Sequence, residues 1–113
     1  MKYLEKKLYI FSVEAIGWAK SMEKITDQPA LVEDFKYAAA NAYKRFSEAI
    51  ASEDNKDFAS KLRASNKLIK QAGQLLRDLT TEDETLSRQK TELDKQKQDI
   101  ETSLEEITKK IIY

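Results

Sequence analysis

The chain has 113 residues, with 20 Lys and Arg against 20 Asp and Glu, so it is formally neutral. It contains no cysteine and no histidine, which excludes a disulfide scaffold, a thiolate or imidazole metal site, and any Ser-His-Asp or Cys-His relay. No apolar run approaches ~18 residues, so the sequence offers no membrane span.

Two glycines and one proline leave the strong helix formers Ala, Leu, Glu, Lys, Gln and Arg in the majority. β-Branched residues never alternate over a strand length, so the chain reads as all-α. The amino-terminal stretch has early lysines and apolar residues, but Glu5, Lys6, Lys7 and Glu14 interrupt it and no small-x-small cleavage site follows. A cytoplasmic location is the default expectation, and the lack of cysteine fits a reducing compartment.

The first helix is expected from about Tyr3 to Ile25. Leu4, Leu8, Phe11, Ala15, Trp18, Met22 and Ile25 recur in alternating steps of four and three, which keeps one apolar seam facing a partner helix. Tyr9, Val13 and Ile16 widen that face, so the helix should touch more than one neighbour. The segment TDQP ends it, with Thr26 or Asp27 as the next cap and Pro29 tolerated in a first turn.

The second helix runs from about Pro29 to Ala51, with Leu31, Phe35, Ala38, Ala42, Phe46 and Ala49 as its seam and Ala39, Tyr43 and Ile50 beside it. The small side chains of Ala38 to Ala42 suit a close neighbour or a bulky insert such as Trp18. Ser52 to Asn55 reads either as a tight turn or as a bend in a longer helix. The third helix follows from about Lys56 to Leu79 on a seam of Phe58, Leu62, Ser65, Ile69, Ala72, Leu76 and Leu79.

TTEDE is the last connector, where Thr81 and Glu84 have capping-box spacing. The fourth helix is expected from Glu82 to Ile111, on Leu86, Lys90, Leu93, Lys97, Ile100, Leu104, Ile107 and Ile111. Its first half, Ser87 to Asp99, holds a single leucine, so it should lie at the edge of a bundle or project past it. Four helices of ~22–30 residues on short connectors give one domain over 1–113, an antiparallel up-down-up-down four-helix bundle. Gly17 and Gly73 fall inside helices, where close helix approach is the expected offset to their cost.

One surface feature stands out. Lys56, Arg63, Lys70 and Arg77 recur every seven residues on the third helix, with Lys67 between them. Residues 56–80 carry six basic against two acidic side chains, and residues 81–113 carry six against nine. Such a stripe can follow a phosphate backbone, or it can pair with the acidic fourth helix or with a neighbouring subunit. Tyr37 and Tyr43, with Lys36, Lys44 and Arg45 nearby, could contact RNA bases or pack on a partner helix. The carboxylates Glu48, Glu53, Asp54 and Asp57, and Glu82, Asp83 and Glu84, fall at helix ends, where capping and dipole compensation account for them. No metal, cofactor or small-molecule substrate is expected, and no catalytic residue stands out.

Several segments together resemble one family. They are KLYIFSVEAIGWAKSMEK (Lys7 to Lys24), DFKYAAANAYKRFSEA (Asp34 to Ala49), DNKDFASKLRASNKLIKQAGQLLRDL (Asp54 to Leu79) and LEEITKKII at the carboxyl end. In this order they resemble the 23S rRNA intervening-sequence (S23-type) four-helix-bundle proteins. The resemblance implies a homo-oligomer, often a five-membered ring, with no catalytic activity. Accessory proteins of diversity-generating retroelements, similar in fold, bind a reverse transcriptase and RNA, but those are basic and this chain is neutral. The expectation is a non-enzymatic scaffold that binds itself and a protein or ribonucleoprotein. The alternative is an RNA-binding accessory protein that uses Lys56, Arg63, Lys67, Lys70 and Arg77.

Overall fold

A computed structural model describes residues 1–111 of the chain. Its elements are α1 (Lys2–Glu23), α2 (Pro29–Ile50), α3 (Asn55–Asp78) and α4 (Glu84–Lys109). Each helix packs on its two neighbours in a closed cycle, α1 on α2 and α4, α3 on α2 and α4, with no diagonal pairing. Bonds between helices fix the directions. Lys7 meets Asp99 while Trp18 meets Leu86, so α1 and α4 run antiparallel. Glu5 meets Ser47 while Glu23 meets Lys36, so α1 and α2 do as well. The result is the up-down-up-down bundle that the alternating seam spacing requires.

The seams are where the sequence places them, with small shifts. On α1, Leu4 to Met22 are buried, but Ile25 lies beyond the helix end and is exposed. On α2 the seam starts at Val32 rather than Leu31, which is half-buried. On α3, Ala59 is buried and Phe58 half-buried; from Leu62 onward the expected residues hold. α4 buries Leu86, Leu93, Lys97, Ile100 and Leu104, while Lys90, Ile107 and Ile111 are half-buried. Its polar first half therefore packs against the bundle rather than projecting. Ile112, the last residue of the carboxyl-terminal segment used in the resemblance, lies outside the described residues.

The caps differ from expectation. Neither Thr26 nor Asp27 caps α2; its N-cap is Gln28, and Thr26 Oγ1 instead accepts the Gln28 backbone N–H at 2.9 Å. Pro29 then supplies the first turn, where no N–H is needed. The cap of α4 is Asp83, whose carboxylate accepts the Leu86 N–H at 2.9 Å, so the helix starts two residues later than a Thr81 box would place it. A carboxylate outcompetes a hydroxyl here because it carries a full charge into the positive end of the helix. At the opposite end of the bundle, Asp54 caps α3 through the Lys56 N–H. Ser52 to Asn55 is thus a tight turn and not a bend.

Several polar groups inside the bundle find partners, whereas the side-chain oxygens of Asn66 and Gln96 are buried without one. Trp18 packs edge-on to Phe35, ring centroids 5.7 Å apart, and its indole N–H donates to the Leu86 carbonyl at 2.9 Å. Ser65 donates to the Ala42 carbonyl at 2.7 Å across the α2–α3 contact. Lys97 is the charged exception. Its side chain is 7% exposed and reaches Glu101 at 2.5 Å. The stem of Lys97 lies across Gly73, where an added Cβ would overlap its outer carbons. Gly73 thus makes room for a side chain. At Gly17 nothing lies within 4 Å of an added Cβ, so close helix approach is not the reason for that glycine.

Gly73→Ala should therefore behave differently in two backgrounds. Beside Lys97→Ala, the added methyl should stabilise by about 1 kcal/mol through helix propensity. In the unmodified chain that gain should be cancelled by displacement of Lys97 from Glu101. A double-mutant cycle by urea unfolding checks this, and a coupling near zero would reject the Gly73–Lys97 contact.

Candidate interaction surfaces

The basic stripe forms as the heptad spacing predicts. Lys56, Arg63, Lys67, Lys70 and Arg77 are all exposed on α3, and a 21-residue separation from first to last spans about 32 Å of helix axis. The stripe borders α4. Lys70 Nζ sits 3.0 Å from Glu105. The hydrogen bond from Lys70, then its charge, holds the Glu105 carboxyl below its ordinary range, and Glu105 in turn raises the Lys70 ammonium. Arg77 donates Nε–H to the Gly73 carbonyl at 3.3 Å and shares a cleft with Asp94 of α4. Part of the stripe is thus engaged within the chain.

Tyr43 is half-buried against Tyr9, with rings 5.3 Å apart and edge-on, whereas Tyr37 is 63% exposed. Lys36 turns away from both, pairing with Glu23 of α1 and with Glu33. The aromatic and basic residues of α2 therefore do not converge on one site.

The carboxylates at the turns have local duties. Glu48 pairs with Arg45 at 2.8 Å, and Asp57 accepts the Ser52 hydroxyl at 2.7 Å while lying near Lys61. The Ser52 bond is the main reason the Asp57 carboxyl is held low. Among the described residues no group of three or more acids is arranged to hold a metal, and no helix is long and apolar enough to cross a membrane.

The strongest surface asymmetry concerns apolar side chains. Met1, Tyr3, Tyr9, Ile10, Val13, Ile25, Tyr37 and Ile50 are the large apolar residues left exposed among those described, and all precede α3. Val13 is 52% and Tyr3 74% exposed. Tyr9, Val13 and Ile16 were expected to widen the face of α1 so that it touches more than one neighbour; α1 does pack on both α2 and α4, with Tyr9 edge-on to Tyr43 and Ile16 half-buried, while Val13 stays exposed. Ile10 was not singled out from the sequence. Its position seven residues from both Tyr3 and Gly17 was the available signal, a row that borders the α1–α4 groove.

Clefts follow α4. One of about 400 Å³ lies between α1 and α4, lined by Gly17, Trp18, Arg88 and Leu93 among others. A second, of about 260 Å³, continues along the same helix pair at Ile10 and Ile100. Between them Gln96 donates to Glu14, while its own side-chain oxygen is buried without a partner. Comparison with protein-family models, curated proteins and solved structures finds no match to this chain.

The shifted groups set a pH profile. Glu23, Asp57 and Glu105 are held below the ordinary carboxylate values of 4.5 and 3.8, so their stabilisation is present above those values and is lost as pH falls through the folded pKa. Lys7, Lys36 and Lys70 are raised above 10.5, so theirs is complete below that value and lost as pH rises through the folded pKa. No histidine titrates between. Thermal melts should give a flat Tm from about pH 5.5 to 9, falling on either side. A midpoint inside that window would contradict the assignment.

Proposed function

We propose that this chain is a non-enzymatic interaction module that assembles with copies of itself and, once assembled, holds a protein or ribonucleoprotein partner in the cytoplasm. The observation that carries the reading is that the large exposed apolar side chains among the described residues all precede α3, whereas α3 and α4 expose mainly polar and charged ones. Solvent-exposed side chains such as Tyr3, Val13 and Tyr37 gain by being covered, at roughly 25 cal/mol per Å² of apolar area removed from water. The resemblance to S23-type proteins points the same way and adds a ring of five as the form to look for. Such a ring needs two different contact surfaces on each copy. The absence of both Cys and His removes the commonest nucleophile–base pairs, which supports a binding role over a catalytic one.

Light scattering at tens of micromolar should return a mass above one chain. Val13→Glu with Tyr37→Glu should return a single chain of unchanged helicity, because both side chains are exposed in the isolated bundle. A monomer throughout for the unmodified protein would overturn the reading.

The second reading is RNA binding through Lys56, Arg63, Lys67, Lys70 and Arg77. The observation in its favour is that all five are exposed along one helix. Affinity should then fall steeply with salt. Arg63→Glu with Lys67→Glu should reduce binding at least tenfold, on the order of two lost phosphate contacts, and leaves the Lys70–Glu105 pair intact. Absence of retention on RNA at low salt rejects this reading.

A further inference from the structure

α4 is held differently from the other helices. Its contacts with α1 and α3 are the two least extensive in the bundle, although it buries Leu86, Leu93, Ile100 and Leu104 in the core, with Lys97 among them and Ile107 half-buried at the edge. Open clefts of about 400 and 260 Å³ run along its seam with α1, and one of about 290 Å³ lies beside it on the α3 side. Its Gln96 side-chain oxygen is buried without a hydrogen bond. Besides those apolar side chains, a set of polar clasps fastens it: Trp18 to the Leu86 carbonyl, Lys90 to the Leu79 carbonyl, and the ion pairs Lys7–Asp99 and Lys70–Glu105. The two ion pairs are partly exposed and screened by salt.

The connector to α4 is already open. Leu79 and Asp83, which bracket it, both have extended backbone, with ψ of 125° and 122°. It contains no glycine and makes no tight turn that would have to be undone.

The groove that α4 occupies carries receptors for its particular side chains and carbonyls. An indole N–H waits for the Leu86 carbonyl, the bare face of Gly73 receives a lysine stem, and the end of α3 offers a carbonyl to a second lysine. The occupant that satisfies all three is α4 itself, either from the same chain or from another copy. We propose that α4 is a detachable arm, which leaves the α1–α3 body as a unit and re-docks in the same groove of a second copy. This exchange is separate from the apolar contact on α1 and α2, because it uses neither Val13 nor Tyr37.

The test exploits the absence of native cysteine. Lys70→Cys and Glu105→Cys replace side chains that meet at 3.0 Å across the α3–α4 contact, a pair that a short bismaleimide can bridge. In a closed copy, or in any assembly built on another face, the bridge joins a chain to itself. In an exchanged dimer it joins two chains. Isotopically light and heavy copies, mixed and incubated at rising concentration, should give light–heavy 70–105 links in increasing amount, and more at high salt. Links confined to one chain at every concentration overturn the proposal; if light scattering still shows assembly there, the α1–α2 reading stands without it. Hydrogen exchange gives an independent check. Amides from Leu93 to Ile100 should exchange about tenfold faster than those from Phe35 to Ala42, and Lys97→Leu should slow α4 selectively. Equal rates in both segments would also overturn it.

Discussion

Close approach of α2 and α3 is the constraint on which the rest of the bundle depends. Ala38, Ala39, Ala42 and Ala49 on one helix and Ala59, Ser65 and Ala72 on the other leave little between the two backbones. The Ser65 hydroxyl can then reach the Ala42 carbonyl directly, and this pair makes the most extensive contact in the molecule. A tight pair on one side forces the bulk to the other. Trp18 meets Phe35 on the α1 side, Phe11 and Phe46 are buried in the same core, and α4 closes what remains with Leu86, Leu93, Ile100 and Leu104.

That division of volume is matched by a division of polarity. The apolar excess left after the core is filled emerges on α1 and α2, whereas α3 and α4 spend their surface on charge. The charged half is largely self-complementary, as Lys70 with Glu105 and Lys97 with Glu101 illustrate. A neutral chain with this layout has one side suited to dry contact and another suited to salt-sensitive contact. The proposed α1–α2 self-contact draws on the first side and the RNA reading on the second.

Much of this was legible in the residues. The alternating steps of four and three located every helix and nearly every buried position, because helical periodicity and burial are the same fact seen in one and three dimensions. The exposed basic stripe followed from seven-residue spacing in the same way. What escaped was competition at the helix ends. Gln28 and Asp83 became caps because Thr26 and Thr81 were recruited one step earlier, to the backbone N–H groups of Gln28 and Asp83. The meaning of Lys90 and Lys97 also escaped. A lysine on a seam reads as an interruption until a carbonyl at Leu79, a carboxylate at Glu101 and a glycine at 73 are found to receive it. The Lys97–Glu101 pair has ordinary i,i+4 spacing within α4, but the meetings of Lys97 with Gly73 and of Lys90 with the Leu79 carbonyl join different elements, and no single-helix pattern encodes those.

Gln28 joins the α1–α2 connector to the α3–α4 connector, donating to the Asp78 carbonyl and accepting the Thr80 N–H. One end of the bundle is thereby braced between its two connectors, while at the opposite end lie the tight turn, the first turn of α1 with its Glu5–Ser47 bond, and the last turn of α4. A rod of 26 residues braced at its base acts as a lever, so that a few degrees of rotation at the pivot sweep its tip, roughly 39 Å away, through several ångströms. The stiffness of that pivot is therefore shared among the Gln28 amide, the Trp18 indole and the Lys90 ammonium, none of which lies in the α3–α4 connector itself.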